Sequence, residues 1–153
     1  MPDRAPFVYS LAPMATEVNA RGAYVRVRHP WGGFLLVIIT FGIYYLFWYY
    51  FINRELRDFG RSTADTEAGE RIQVNPWVSL LAVSLGAFLI IPPFVSMYRT
   101  FGRIRTAQDI ADTGPKASPV LGLVLFLIAV VFFPVEVPYA QTNLNRVWRR
   151  YST

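Results

Sequence analysis

The stretch WGGFLLVIITFGIYYLFWYYFI, residues 31–52, runs for 22 positions without a charge, and Thr40 is its only small polar side chain. At about 1.5 Å per residue such a helix reaches about 33 Å, matching a hydrocarbon core of roughly 30 Å. Residues 77–98 form a second run of 22, interrupted only by Ser79, Ser84 and Ser96. A water-soluble pair of buried helices would show polar residues at helical spacing, and neither run does. Backbone groups in lipid must find partners within the chain, so both runs are predicted to be membrane-crossing helices. A third run, residues 119–135, has 17 residues and ends at Pro134 and Glu136. Its reach of about 25 Å is marginal for a straight crossing; extension to residue 137 completes a span, and a re-entrant segment is the alternative.

The predicted fold is therefore an all-α membrane protein with three hydrophobic helices, at about residues 31–52, 77–98 and 119–137, the third marginal, with amphipathic extensions beyond the membrane. Residues 1–20 read as an unpatterned tail and 21–153 as the helical membrane domain. Met14 is a candidate start, and no secretory leader is visible before residue 29. The helix starts are punctuated by His29-Pro30, Asn75-Pro76 and Ser118-Pro119, where proline's missing amide hydrogen does no harm. Asn75 and Ser118 are suited to cap the amides behind them. Pro92-Pro93, inside the second run, predicts a kink rather than a stop.

Composition points the same way. Of 153 residues, 54% are apolar and 16% charged, against about 25% charged in an average soluble domain. Such apolar content excludes a disordered chain, and the absence of cysteine excludes a disulfide framework.

Aromatics cluster where the runs end. Trp31, Tyr44, Tyr45, Trp48, Tyr49, Tyr50, Trp77, Tyr98, Tyr139 and Trp148 are predicted interface anchors, since their rings favour the headgroup zone. Beyond the first run the helix is expected to continue through a handle of Arg54, Glu55 and Asp58 and to stop at Gly60. Two apolar stripes, Phe94-Met97-Phe101-Ile104 and Ala140-Leu144-Val147-Trp148-Tyr151, suit helices lying on a surface or packing on their own bundle. Arg26, Arg28, Arg99, Arg103, Arg146, Arg149 and Arg150 flank the apolar runs and are assigned to lipid phosphates. The net charge of +5 does not imply nucleic acid, because no zinc-finger spacing, recognition helix or basic-aromatic strand motif accompanies it. Eight basic residues on one side of three crossings against seven on the other leave the orientation nearly undetermined, with the N-terminus placed inside.

A faint repeat links Pro30-Trp31 and its closing Phe59-Gly60-Arg61 to Pro76-Trp77 and Phe101-Gly102-Arg103. Successive spans of this kind would be inverted copies, with coincidence the simpler reading. Ala82 and Gly86 give a small-residue step for close helix contact. The lone His29 lacks companions for a metal site, and no catalytic or phosphate-binding motif is present. Hence no cofactor, metal or enzymatic activity is expected. Glu136 is the one acid bordering an apolar run.

The segment Thr40-Phe41-Gly42-Ile43-Tyr44-Tyr45, followed by Trp48-Tyr49-Tyr50 and Asn53-Arg54-Glu55-Leu56, resembles the bacterial membrane family catalogued as domain of unknown function 4234. Arg28-His29-Pro30, Pro92-Pro93-Phe94-Val95-Ser96, Tyr98, Gln141, Leu144-Asn145 and Val147-Trp148 extend the resemblance over about residues 21–148. It implies a small integral membrane protein with about three spans, and no reaction or ligand. The expected role is a non-enzymatic scaffold or accessory subunit, multi-pass in a bacterial plasma membrane. Its basic ends would lie on anionic headgroups or on partner proteins, including further copies of the chain. The alternative is an oligomeric channel or transporter subunit.

Overall fold

The computed structural model describes residues 15–63, 66–85 and 91–152. Two strands, β1 (Ala15–Ala20) and β2 (Ala23–Arg28), precede seven helices among the described residues. These are α1 (Pro30–Ile39), α2 (Ile43–Ser62), α3 (Thr66–Ile72), α4 (Pro76–Ser84), α5 (Ile91–Ile110), α6 (Pro119–Val131) and α7 (Glu136–Arg149). None of these helices is long and apolar enough to cross a membrane. That finding overturns the all-α, three-span fold and the multi-pass placement in a bacterial cell membrane. The physical reason is that the first run is broken near its middle, α4 ends at Ser84 within the second, and the third carries only 13 helical residues.

The first break is built by Thr40-Phe41-Gly42. The Thr40 hydroxyl donates to Leu36 O at 2.7 Å and accepts from Tyr44 N at 2.9 Å. Phe41 and Gly42 take positive φ angles of 50° and 88°, and Gly42 N bonds Val37 O at 2.8 Å. This is the bond that closes a helix on a left-handed residue, the place where glycine is preferred. The chain then doubles back, so that Arg28 before α1 meets Glu55 far along α2. In the second run α4 ends at Ser84 with Leu85 as its cap. Pro92 and Pro93 stand in the opening turn of α5, where they are tolerated, and not at a bend within one helix. The third run stops at Val131, with Phe132 N on Ile128 O at 2.8 Å, and α7 opens at Glu136 after Pro134.

Contacts of matching depth set the breaks side by side. Phe94 meets Phe126 edge to face at 5.4 Å, and Tyr45 lies beside Glu136. At the opposite end Arg28 N donates to Asn145 Oδ1 at 3.1 Å, and Gln108 Nε2 donates to Asn143 Oδ1 at 3.0 Å. The ends of α1, α4 and α6 therefore gather at one end and their polar starts at the other. Both Pro-Trp units start a helix, α1 and α4. The starts are capped as predicted: Asn75 Oδ1 accepts from Trp77 N and Ser118 Oγ from Leu121 N, and His29 Nδ1 does the same for Gly32 N.

The tail assigned to residues 1–20 is structured from Ala15 onward. β1 and β2 pair antiparallel with Val18 opposite Val25 and Ala20 opposite Ala23, joined by Arg21-Gly22 with φ of 54° and 97°. Two positive φ angles in a two-residue loop match the twist of a hairpin. Val18, Ala20, Ala23 and Val25 face the core. Helix α2 runs past Gly60 to Ser62. Its buried Trp48, Tyr49, Ile52, Leu56 and Phe59 meet Phe101 and Ile104 of α5 and Leu144, Val147 and Trp148 of α7 in one hydrophobic core. Met14 and Gly86 lie outside the described residues; a close approach is found instead at Gly122, where a Cβ would overlap the Phe101 ring.

Candidate functional site

Large apolar side chains stand exposed at the apolar end. Ile39, Phe41 and Ile43 bracket the first turn, Leu85 caps α4, Ile91 opens α5, and Val131, Phe132 and Phe133 follow one another at the end of α6. Phe41 is 98% exposed. Contiguous apolar surface of this kind marks an interaction face. The first turn also pairs its amides within the chain. The amides of Thr40, Phe41, Gly42, Ile43 and Tyr45 bond Leu36, Ile38, Val37, Thr40 and Gly42 carbonyls, and that of Tyr44 bonds the Thr40 hydroxyl. Water does not demand such pairing at an exposed turn, whereas hydrocarbon does.

Beneath this end lies a hydroxyl cluster. The Tyr49 hydroxyl is 2.9 Å from Ser96 Oγ and 2.8 Å from Thr100 Oγ1, and Asn53 Nδ2 donates to Tyr49 O at 2.9 Å. Arg103 completes it, with Nη2 on Thr100 Oγ1 at 2.9 Å, Nη1 on Ser79 Oγ at 3.4 Å and Nε on Arg99 O at 3.3 Å. Its side chain is buried at 6% exposure. Burial holds its pKa below the usual arginine range, Tyr49 opposes that and Arg99 adds to it. A groove of about 800 Å³ between α3, α4 and α5 opens onto Arg103, with Arg71 and Arg99 at its edge.

A second cluster ties the polar end together. Arg28 bonds Glu55 through Nη2 at 2.5 Å and Nη1 at 3.0 Å. Burial nevertheless raises the Glu55 pKa, outweighing the Arg28 guanidinium. Asn145 accepts from Arg28 N and donates to Arg28 O, and Gln141 bridges Asn145 Oδ1 to Trp48 Nε1.

Glu136, expected beside water, is instead buried in the first turn of α7 at 1% exposure. Its carboxyl faces the Tyr45 hydroxyl, which favours the charged form, although Oε2 and that hydroxyl miss full hydrogen-bond geometry with any described residue. Burial lifts Glu136 to about 8 and, with the Glu136 charge, raises Tyr45 as well. The folded state thus keeps a proton that the unfolded chain releases near the ordinary carboxylate range. The contribution of this group to stability is expected to be full below about pH 4.5 and to fall as pH rises toward 8, by at most about 1.4 kcal/mol per pH unit for one proton. Thermal unfolding between pH 5 and 8 measures this; Glu136→Gln should flatten the profile.

The predicted anchors divide between surface and core. Trp31, Trp77 and Tyr98 are exposed, Tyr44, Tyr45, Tyr50 and Tyr139 are intermediate, and Trp48, Tyr49 and Trp148 are buried. The handle is not a unit: Glu55 serves Arg28, Asp58 pairs with Arg57 at 2.9 Å, and Arg54 lies over the Phe51 ring. Among the assigned arginines, Arg26 pairs with Glu17, and Arg146 donates to Pro115 O and Asn143 Oδ1. Arg99, Arg149 and Arg150 are exposed. The C-terminal stripe packs on its own bundle, with Leu144, Val147 and Trp148 fully covered.

A family model described as Domain of unknown function (DUF4234) matches residues 28–106, just over half of the 153. The chain belongs to the DUF4234 family. The match covers Arg28, the Thr40-Phe41-Gly42 break, the hydroxyl cluster and Arg103 of this DUF4234 protein, and ends before α6. No curated protein and no solved structure matches the chain.

Proposed function

We propose that this protein is a non-catalytic scaffold that docks on lipid by dipping its apolar turns into one leaflet without crossing it. The carrying observation is the Thr40–Tyr45 turn, whose amides all find partners within the chain and which bears the exposed Phe41. Arm length agrees. The ten residues of α1 reach about 15 Å, half of a hydrocarbon core of roughly 30 Å. The polar helix starts then stay at headgroup level, where Arg149 and Arg150 are free to meet anionic phosphate or a protein partner. The non-catalytic reading draws support from the four ionisable groups that burial perturbs. Glu55 and Arg103 stand in separate clusters, and only Tyr45 and Glu136 adjoin, so the four do not converge on one reacting position.

Flotation of the full chain with neutral phosphatidylcholine vesicles tests the reading. It should float and stay bound through a high-salt wash. Phe41→Asp should weaken partitioning by up to about 400-fold, given about 2.5–3.5 kcal/mol for aspartate at hydrocarbon depth. Aspartate tolerates the left-handed φ that Phe41 adopts, so the fold should persist. Release by salt alone, or unchanged flotation of Phe41→Asp, would overturn the proposal.

A further inference from the structure

Three charged side chains are buried among the described residues. Glu55 has Arg28 against it, and Glu136 is held protonated at neutral pH. Among the described residues Arg103 has no carboxylate partner, and neither has Arg99 one turn before it. A guanidinium stays charged in proteins, and a buried charge without an opposite charge is costly. The three bonds that Arg103 makes go to two hydroxyls and a carbonyl, which leaves part of its donor fork uncommitted.

The surroundings of Arg103 indicate what completes it. On α5, Ile91, Val95, Arg99 and Arg103 succeed one another at one-turn intervals and all line the same groove. This stripe changes from apolar to cationic over about 18 Å of helix. Its apolar end begins at the exposed Ile91, and its cationic end lies toward the polar helix starts. The volume of about 800 Å³ falls within the roughly 300–1,000 Å³ of small-molecule sites. A ligand matching this gradient carries an anionic phosphate at one end and hydrocarbon at the other.

We infer that the groove between α4 and α5 holds one anionic phospholipid, its phosphate on Arg99 and Arg103 and an acyl chain along Val95 and Ile91. This rests on the leaflet-docking reading and adds a headgroup preference that docking alone does not require. Arg103 supplies the fixed, desolvated contact, and Arg99 the exposed one that closes over the headgroup.

The test uses the full chain in neutral maltoside micelles, titrated separately with phosphatidylglycerol and phosphatidylcholine, with retained lipid counted by native mass spectrometry. Both lipids carry the phosphate, but the choline ammonium of phosphatidylcholine is repelled by the two guanidiniums, so phosphatidylglycerol should be retained about tenfold more tightly. Arg99→Gln and Arg103→Gln should each bring the two lipids close to parity. Without added lipid, Arg103→Gln should unfold at the same temperature as the parent or higher, because it removes a buried unpaired charge; a purely structural arginine would shift it downward. Equal retention of the two lipids, a preference surviving both substitutions, or equal protection by inorganic phosphate would overturn the inference. The neutral-vesicle flotation separates the two proposals: binding there with no headgroup preference in micelles keeps the leaflet reading and removes the lipid site.

Discussion

Arg28→Met is expected to lower the unfolding free energy by about 3–5 kcal/mol, because it strands Glu55 as an uncompensated buried charge. For a chain of this size that corresponds to a fall in Tm of about 6–20 °C, followed by circular dichroism in detergent. The double variant Arg28→Met with Glu55→Leu should recover most of the loss, since an apolar pair avoids desolvating two ions. The raised Glu55 pKa already shows that burial outweighs the attraction of its partner. A single variant within about 1 kcal/mol of the parent would mean that Glu55 finds another cation or water, and would remove the pair from the list of features holding β2 to α2.

The second large effect is expected at Trp148. Its ring is fully buried against Phe59, edge to face at 5.3 Å, between α2 and α7. Trp148→Ala should cost about 3–5 kcal/mol through lost burial and the cavity left behind. Trp148→Phe should cost under about 1.5 kcal/mol, because the indole N–H has no partner among the described residues and its removal relieves an unsatisfied donor. Unfolding curves for the two variants side by side check the prediction. Equal losses would show that the indole edge, rather than the ring volume, is what α2 requires.

The apolar runs were legible in the sequence, and so were the caps at Asn75 and Ser118. Length alone misread the runs. Thr40-Phe41-Gly42 carries the signal of its break in plain sight: a hydroxyl able to bond both arms, followed by a glycine suited to a left-handed helix end. Counting uncharged residues cannot register that, because threonine and glycine do not interrupt hydropathy. The hairpin was similarly visible in the alternation of Val18, Ala20, Ala23 and Val25 about Arg21-Gly22, but the unpatterned residues before it drew the tail boundary too far along. The site was less accessible. Arg103 shares a helix with Arg99 and looks like one more surface arginine. Only the approach of α4 and α2 puts Ser79, Thr100 and Tyr49 around it. Glu136 is a parallel case: its burial follows from α7 turning inward after Pro134, a tertiary event without a local mark.

The clamp that Asn145 places on Arg28 has a consequence for where this fold can be cut. The family match begins at the clamped residue and ends at residue 106, yet both backbone groups of Arg28 are satisfied from α7. Trp48 likewise borrows its acceptor from Gln141, and Phe101 its neighbour from Gly122. The recurrent segment is thus an evolutionary unit but not an autonomous one. Excised at its borders, it would expose the donors and ring faces that the last third of the chain now covers, so a self-sufficient fragment has to run from the β-hairpin through α7.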